Sequence, residues 1–404
     1  MIIPGLMTAA ETASDLSSFT GRRGGSDAER RAALWLSDRL RSQGRAATIE
    51  TFWCRPNWAL AHAWHAVLGL GASVLIVSQP RIGGVLALVT MASIALDAAT
   101  GRSLGRRLTP ERASQNVVAL DPAETPGPAR VIVTANYDAG RAGLVDRAAP
   151  RVLAATLRRA GAGGRLSLGW LGWLTIALLW LVVIAIARNA GSSGTVIDIV
   201  QLVPSIWLLV AIVALVELGL SPPSPAASDN AAGVAVALTA IAALDARTDG
   251  SAAAVDLVLQ GASDRDPVGL RRYLSRGGAA RERPIVLGIA ASGSGSPRWW
   301  RSDGPLWPLG YDRRLRELAA DACQAADGHR GRGTTPALGA RAVGLRAIAI
   351  GCLDDRGIVP RSHLRTDTPE QFDPSSIDAT TRAAVAIITA IERTIAPRTS
   401  AVID

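Results

Sequence analysis

From Leu166 to Ala187 the chain reads LSLGWLGWLTIALLWLVVIAIA, a run without one charged side chain. A helix of that length, rising 1.5 Å per residue, crosses a hydrocarbon core about 30 Å thick. A second apolar run, Ile199 to Leu220, is interrupted only by Gln201, Pro204 and Glu217, and membrane helices tolerate a proline kink. Trp58 to Ser78 and Ile82 to Ala99 form another pair around the turn Gln79-Pro80-Arg81. The chain is therefore expected to carry about four transmembrane helices in two hairpins. An apolar fraction of 49% and a mean hydropathy of +0.23 agree with that excess of apolar residues.

Each hairpin leaves the bilayer on the face where it entered. Residues 1–57, 100–165 and 221–404 are thus gathered on one side as three parts of one domain, with hairpins at 58–99 and 166–220. Arginines crowd that side between Arg39 and Arg55, Arg102 and Arg112, and Arg147 and Arg165, whereas the opposite loops hold Arg81 and Arg188. By the positive-inside rule the domain is expected in the cytoplasm, on a plasma-membrane protein. The net charge of +9, carried by arginine alone among the strong bases, is accounted for by the lipid bilayer as partner. No recognition helix or aromatic-interleaved basic stretch points to nucleic acid. Three cysteines without paired or metal-type spacing fit a reducing compartment. The amino terminus MIIPGLMTAAETASD has neither a basic leader nor the apolar stretch of a cleaved signal, so insertion is expected to use internal helices. His62 and His65, between Trp58 and Trp64, read as anchors at the headgroup level rather than as a metal pair.

The remaining pieces read as α/β. Ser26-Asp27-Ala28-Glu29 has the form of a capping box opening a surface helix that stops at Gly44. Strands are expected at 46–52, 116–120, 130–135, 253–260, 285–290 and 346–352, and helices at 230–246, 311–326 and 374–394. Alternation of this kind implies a mainly parallel mixed sheet with helices on both faces, where ligands gather at the carboxyl ends of strands. Asn136, Asp138, Asp229, Ser263 and Asp264 fall there or at a helix start. SGSGSP at 292–297 precedes no helix and is a poor phosphate loop, and Arg330-Gly331-Arg332 reads as a solvated loop.

Four stretches taken in order, GRRGGSDAERRAALWLSDRLRSQG, NVVALDPAETPGPARVIVTANYDAG, SDNAAGVAVALTAIAAL and RSHLRTDTPEQFD, resemble the co-catalytic zinc aminopeptidases, metallopeptidase family twenty-eight. The resemblance covers nearly all of the chain outside the two hairpins, which look like insertions. It implies the zinc-aminopeptidase-like fold and two zinc ions that share a bridging aspartate. Each ion is further held by one histidine and one carboxylate, and a glutamate beside a ligand serves as general base. Two metals would acidify a bridging water and polarise the peptide carbonyl.

Placed on that pattern, the sequence departs from it repeatedly. Asn136 replaces a histidine ligand while Asp138 keeps the place of its orienting aspartate. Asp229-Asn230 matches the bridging aspartate and its neighbour. Ser263-Asp264 stands where the family has two glutamates, so the general-base position holds a serine. The next acidic ligand is expected between Ile285 and Gly293, where IVLGIAASG offers none. His363 matches the remaining histidine. Asp229, Asp264 and His363 make a single metal site at best, so the cofactor content expected is none or one zinc. Two plain readings stay open: Asp229 as the cap of the helix that follows it, and His363 as a hydrogen-bonding residue of a polar loop. The expectation is a degenerate, peptidase-like membrane protein acting as a binding or scaffold module for an unknown protein or peptide ligand. The alternative is a membrane-bound metallohydrolase with one metal. A transporter is disfavoured by the scarcity of polar residues in the apolar runs.

Overall fold

The computed structural model describes residues 8–122, 130–160, 168–247, 253–276 and 282–395. In chain order the elements are α1 (Ala9–Ser18), α2 (Asp27–Ser42), β1 (Ala47–Cys54), α3 (Trp58–Ser78), α4 (Pro80–Thr100), the single turn α5 (Leu104–Arg107), β2 (Arg112–Ala119), β3 (Arg130–Asn136), α6 (Ala148–Ala160), α7 (Trp170–Asn189), α8 (Thr195–Leu220), α9 (Ala232–Asp245), β4 (Ala254–Gln260), α10 (Val268–Ser275), β5 (Ile285–Ile289), β6 (Ser296–Asp303), β7 (Leu309–Gly310), α11 (Arg313–Ala322), β8 (His329–Arg330), α12 (Leu338–Ala342), β9 (Ala347–Leu353) and α13 (Pro374–Ile395).

The strands form one mixed sheet in the order β1-β2-β4-β3-β5-β9-β6-β7, with β8 beside β6. Its four central strands, β4, β3, β5 and β9, are parallel. They are covered on both faces, so AVDLVLQ of β4 and AIAIGCL of β9 are buried at every residue and carry little polar alternation. The edges run antiparallel: β1 on β2 and β2 on β4 at one side, β9 on β6 and β6 on β7 at the other. The expectation of a mainly parallel sheet therefore holds for the central strands and fails at the edges. The ladder from Ala47↔Ala119 to Cys54↔Arg112 joins residues on either side of the α3–α4 excursion, a pairing no local pattern announces. One apolar core draws on Ala9–Ala47, Val117–Tyr137 and Ala231–Ile391.

The helix α2 begins as expected at Ser26, whose hydroxyl accepts the Glu29 amide. The reciprocal half of the box is not made. The Glu29 carboxylate turns inward, accepting from the Gly25 amide at 2.6 Å, the Ser114 hydroxyl at 2.8 Å and the Ala262 amide at 2.8 Å. It thereby supports the loop after β4 from below.

Helices α3, α4, α7 and α8 pack as a bundle in which α3 touches α4 and α8, and α7 touches α4 and α8. Small residues set the close approaches: a Cβ on Gly69 would meet Leu178 at 2.6 Å, and one on Gly84 would meet Ala185 at 3.0 Å. Outward faces are apolar, with Val74, Val85, Ile186 and Val213 each at least 60% exposed. Among the described residues, five helical segments are by length and composition apolar enough to cross a membrane. The fifth, Ala227–Asp245, is 72% buried and its helix α9 packs in the core of the sheet domain, so its hydropathy reflects a buried helix.

At the end of this bundle nearest the sheet, the expectation of few buried polar groups is overturned. His62 and His65 are buried inside the protein and do not present their rings to the outside. Their Nδ1 atoms lie 3.1 Å apart, His65 Nε2 meets the Ser93 hydroxyl at 2.9 Å, and His62 Nε2 lies 3.0 Å from Asp97. Asp97 is paired in turn with Arg106 of α5. A histidine pair amid apolar neighbours needs partners inside the protein, and these came from α4 and α5, out of reach of a reading along α3 alone.

Candidate functional site

The parallel strands β3, β4, β5 and β9 end on one side of the sheet, and the loops that follow them enclose a cavity of about 370 Å³ lined by Asn136, Asp229, Asp264, Arg265 and His363, among others. Of the sequence-derived residues, Asn136, Asp229, Asp264 and His363 are thus brought together on it, whereas Asp138 and Ser263 do not line it. Arg332 and Gly331 line the cavity too, and Arg332 is buried, which corrects the solvated-loop reading of residues 330–332. The SGSGSP stretch runs into strand β6 rather than into a helix.

The geometry begins with Asp138, two residues beyond the end of β3. Its carboxylate accepts from the Ser263 and Asp264 amides, each at 3.1 Å, so it fixes the loop after β4. Burial raises its pKa to about 6, against the pull of those two amides. Glu29 beneath it is raised to about 8 by burial and by the Asp138 charge. Ser263 points away: its hydroxyl donates to Gly261 O at 3.0 Å and accepts from the Gly269 amide at 2.8 Å. Asn136 donates to Ser263 O at 2.9 Å, and its Oδ1 is buried without a partner.

Asp229 does not cap α9, whose N-cap is Ala231 with no side-chain cap. The Asp229 carboxylate instead faces the site, accepting from the Ser362 hydroxyl at 2.5 Å. The Asp367 carboxylate accepts from the Ser228 amide at 2.9 Å and the Asp229 amide at 3.2 Å. Fully buried Arg22 ties the two halves of the floor together, donating to Tyr137 O, Pro225 O and Ala226 O at 2.5 to 2.9 Å. The Asp229-Asn230 peptide bond is cis, and the Asn230 amide donates to Asp138 O at 2.9 Å.

His363 closes the set, with Nε2 at 3.8 Å from Asp229 Oδ2 and 3.7 Å from Asp264 Oδ1. Gly140 permits this: a Cβ there would lie 2.2 Å from His363 Nδ1 and 2.5 Å from Asp264 Oδ2. Burial and the nearby guanidinium groups of Arg265 and Arg151 push the His363 pKa well below its usual value, so the ring is neutral. Burial pushes Asp264 well above the carboxylate range and raises Asp229 as well.

Three residues that the sequence reading passed over complete the centre. Arg265 donates from Nε to His363 Nε2 at 3.1 Å and from its terminal nitrogen to Asp146, while its guanidinium lies 5.6 Å from the ring centre of Trp58. Burial works against its charge, but Asp146 and Asp264 outweigh that and raise its pKa. Arg151 of α6 donates to Ser362 O and Val359 O. The one available signal was the string SDRD, in which a basic residue follows two positions taken from the family pattern.

This donor set does not fit the zinc ions that the resemblance implies. His363 Nε2 already uses its lone pair on Arg265. Asn136 presents a neutral amide, a poor zinc ligand. Among the described residues, no group of three or more His, Cys, Asp or Glu is arranged to hold a metal ion.

No family model and no curated protein sequence matches the chain. Solved structures do match. The chain superposes on the LapA aminopeptidase of Legionella pneumophila with a TM-score of 0.52 and 11% identity, covering 95% of this chain and 70% of that one. For glutaminyl cyclase of Porphyromonas gingivalis the values are 0.52 and 13%, covering 95% and 97%. For a Zn-dependent exopeptidase of Parabacteroides distasonis they are 0.51 and 12%, covering 94% and 96%. At such identities the likeness establishes the fold alone: the chain has a mixed α/β architecture of the zinc-aminopeptidase-like kind.

Proposed function

We propose that the chain is a multi-pass membrane protein whose zinc-aminopeptidase-like domain faces the cytoplasm and binds a protein or peptide ligand without hydrolysing it. Ser263 carries this reading. At the position of the general base stands a hydroxyl that is turned from the cavity and committed to Gly261 O and the Gly269 amide, and loss of general-base help alone typically slows hydrolysis by about 10²- to 10⁴-fold. Purified full-length protein in detergent is expected to show no turnover of an aminoacyl chromogenic substrate, with or without added zinc. Turnover abolished by His363→Ala would instead establish the single-metal hydrolase.

The membrane part rests on the outward apolar faces of α3, α4, α7 and α8, since monomeric soluble proteins rarely expose contiguous apolar patches of such extent. The Trp58 and Trp170 rings, 5.0 Å apart where two of these helices meet the sheet domain, fit an interfacial level. Arginine-rich flanks on the domain side set the orientation. A protease-sensitive reporter fused after Asp404 is expected to resist external protease in intact cells and to be cleaved after permeabilisation. Cleavage in intact cells would place the domain outside.

A further inference from the structure

We propose that Arg265 is a tethered cation standing in the place of a metal, and that Asp146, Asp229, Asp264 and His363 form a latent divalent-cation site that opens when its guanidinium is removed. The first observation is mutual exclusion. Zinc binds imidazole nitrogen at about 2.0–2.1 Å along the lone pair. On His363 that line leads to Arg265 Nε, 3.1 Å away, so an ion there would stand roughly 1 Å from the guanidinium nitrogen. One cation or the other occupies the centre.

The second observation is that two carboxylates already stand near ligand spacing from His363. Two ligands of a tetrahedral zinc lie about 3.4 Å apart, and His363 Nε2 is 3.7 Å from Asp264 Oδ1 and 3.8 Å from Asp229 Oδ2. Each of these two carboxylates is thus within a few tenths of an ångström of ligand spacing from His363. Asp146 is buried, with one oxygen on Arg265 and Oδ2 without any partner, and Asn136, which lines the cavity, has its Oδ1 likewise buried and unpartnered. These are acceptors in excess of the donors that Arg265 supplies. The third observation is in the backbone. Arg265 and His363 adopt φ of +56° and +57°, the left-handed region that side-chain-bearing residues seldom enter. Such outliers persist where the surroundings over-determine them, and here they face the two side chains toward each other.

A guanidinium suits this role and limits it. It is charged at every physiological pH and carries five donors, so it neutralises a carboxylate cluster without any supply of metal. It has no vacant orbital with which to acidify a water or polarise a carbonyl. The inference therefore rests on the non-hydrolytic reading of the same site, but it is tested by binding rather than turnover.

The experiment titrates chelator-stripped, full-length protein in detergent with zinc alone, reading stoichiometry by calorimetry and thermal melting in parallel. Wild type and Arg265→Lys are expected to bind no zinc that depends on His363. Arg265→Ala is expected to bind one equivalent, on the order of a hundredfold or more tighter than wild type because a neighbouring positive charge is gone, and to melt higher with zinc. Arg265→Ala/His363→Ala loses the gain. Should Arg265→Ala fold only when zinc is present, the proposal is supported equally. It is overturned by wild-type zinc binding that His363→Ala abolishes, by a folded Arg265→Ala that binds no tighter than wild type, or by an Arg265→Ala that stays unfolded in zinc. Metal-independent peptidase turnover by wild type would remove the non-hydrolytic reading and leave these zinc comparisons standing.

Discussion

Arg106→Met is expected to destabilise the protein by about 3–5 kcal/mol, the range for removing one partner of a buried ion cluster. Arg106 lies on the α5 turn with its side chain 5% exposed. It donates from Nε to Asp97 Oδ1 at 2.8 Å, from one terminal nitrogen to Asp97 Oδ2 at 3.1 Å and Asp266 Oδ2 at 2.5 Å, and from the other to Arg55 O at 2.7 Å. Burial disfavours its charge, yet Asp266 and Asp97 more than offset this and hold its pKa above the usual value. Methionine fills similar space and takes the shared guanidinium from two buried carboxylates, leaving Asp97 with His62 and Asp266 with Arg271. Asp97 belongs to α4 and Asp266 to the loop that carries Asp264 and Arg265, so the same guanidinium pins the apolar bundle to the candidate site. The triple variant Asp97→Asn, Arg106→Met, Asp266→Asn removes all three charges and is expected to recover a large part of the loss, because a buried cluster replaced as a unit is often near neutral. Chemical unfolding in detergent, followed by tryptophan fluorescence, reads both variants. A loss below about 1 kcal/mol for the single variant, the value of an exposed pair, would mean that water reaches the cluster.

That clamp also shows where the sequence was legible and where it was not. Trp58–Ser78 begins and ends where the apolar run does, because a long apolar run between Asn57 and the Gln79-Pro80 turn is read from composition alone. The parallel strands were legible for a related reason: buried on both faces, they are short apolar runs bounded by turn residues. From those strand ends the positions of Asn136, Asp138 and Asp264 followed. Arg265 did not, since its direction depends on left-handed backbone at Ala262 and Arg265 itself, and its partners Asp146 and His363 lie 119 and 98 residues away. Glu29 misled for the opposite reason. A strong local pattern, Ser-x-x-Glu before an apolar helix, assigned it to a cap, whereas the loop at Gly261–Ala262 gave its carboxylate a buried task. Helix α1, with its Thr8–Glu11 capping box, carried the same local signature and was overlooked. The strands at 46–52 and 116–120 were read as strands but not as an antiparallel pair, because α3 and α4 lie between them, while the edge strands β6 and β7 went unread, and Asp229 was half assigned to a cap that the structure gives to no side chain.

Stability is expected to fall as pH rises from about 6.5 to 8, by about 2 kcal/mol or more. The direction follows from the raised pKa of Glu29, from 4.5 to about 8 through burial and the Asp138 charge. An acid whose folded pKa is raised binds its proton more tightly in the folded chain than in the unfolded one. Its contribution is whole below the unfolded value near 4.5, declines by about 1.4 kcal/mol per pH unit above it, and is gone once the pH passes the folded value. Asp138 and Asp367, both raised to about 6 by burial, act the same way at lower pH. There they are opposed by His363, whose depressed pKa makes the protein lose stability as pH falls below about 6.5. Between 6.5 and 8 that opposition is absent. Glu29→Gln separates the contributions. It mimics the protonated acid, so it is expected to lie within about 1–3 kcal/mol of wild type at pH 6.5, the uncertainty being one lost acceptor for the Gly25 or Ala262 amide. Its stability should then fall less steeply by about one proton's worth of slope, and the gap between the two proteins should move in its favour as the pH approaches 8. Denaturant unfolding at a series of pH values measures this directly. A wild-type curve that is flat or rising over the window, or a Glu29→Gln curve parallel to it, would mean that Glu29 is already ionised in the folded protein. Arg22 and the surrounding amides would then compensate the acidic floor of the site more fully than its burial implies.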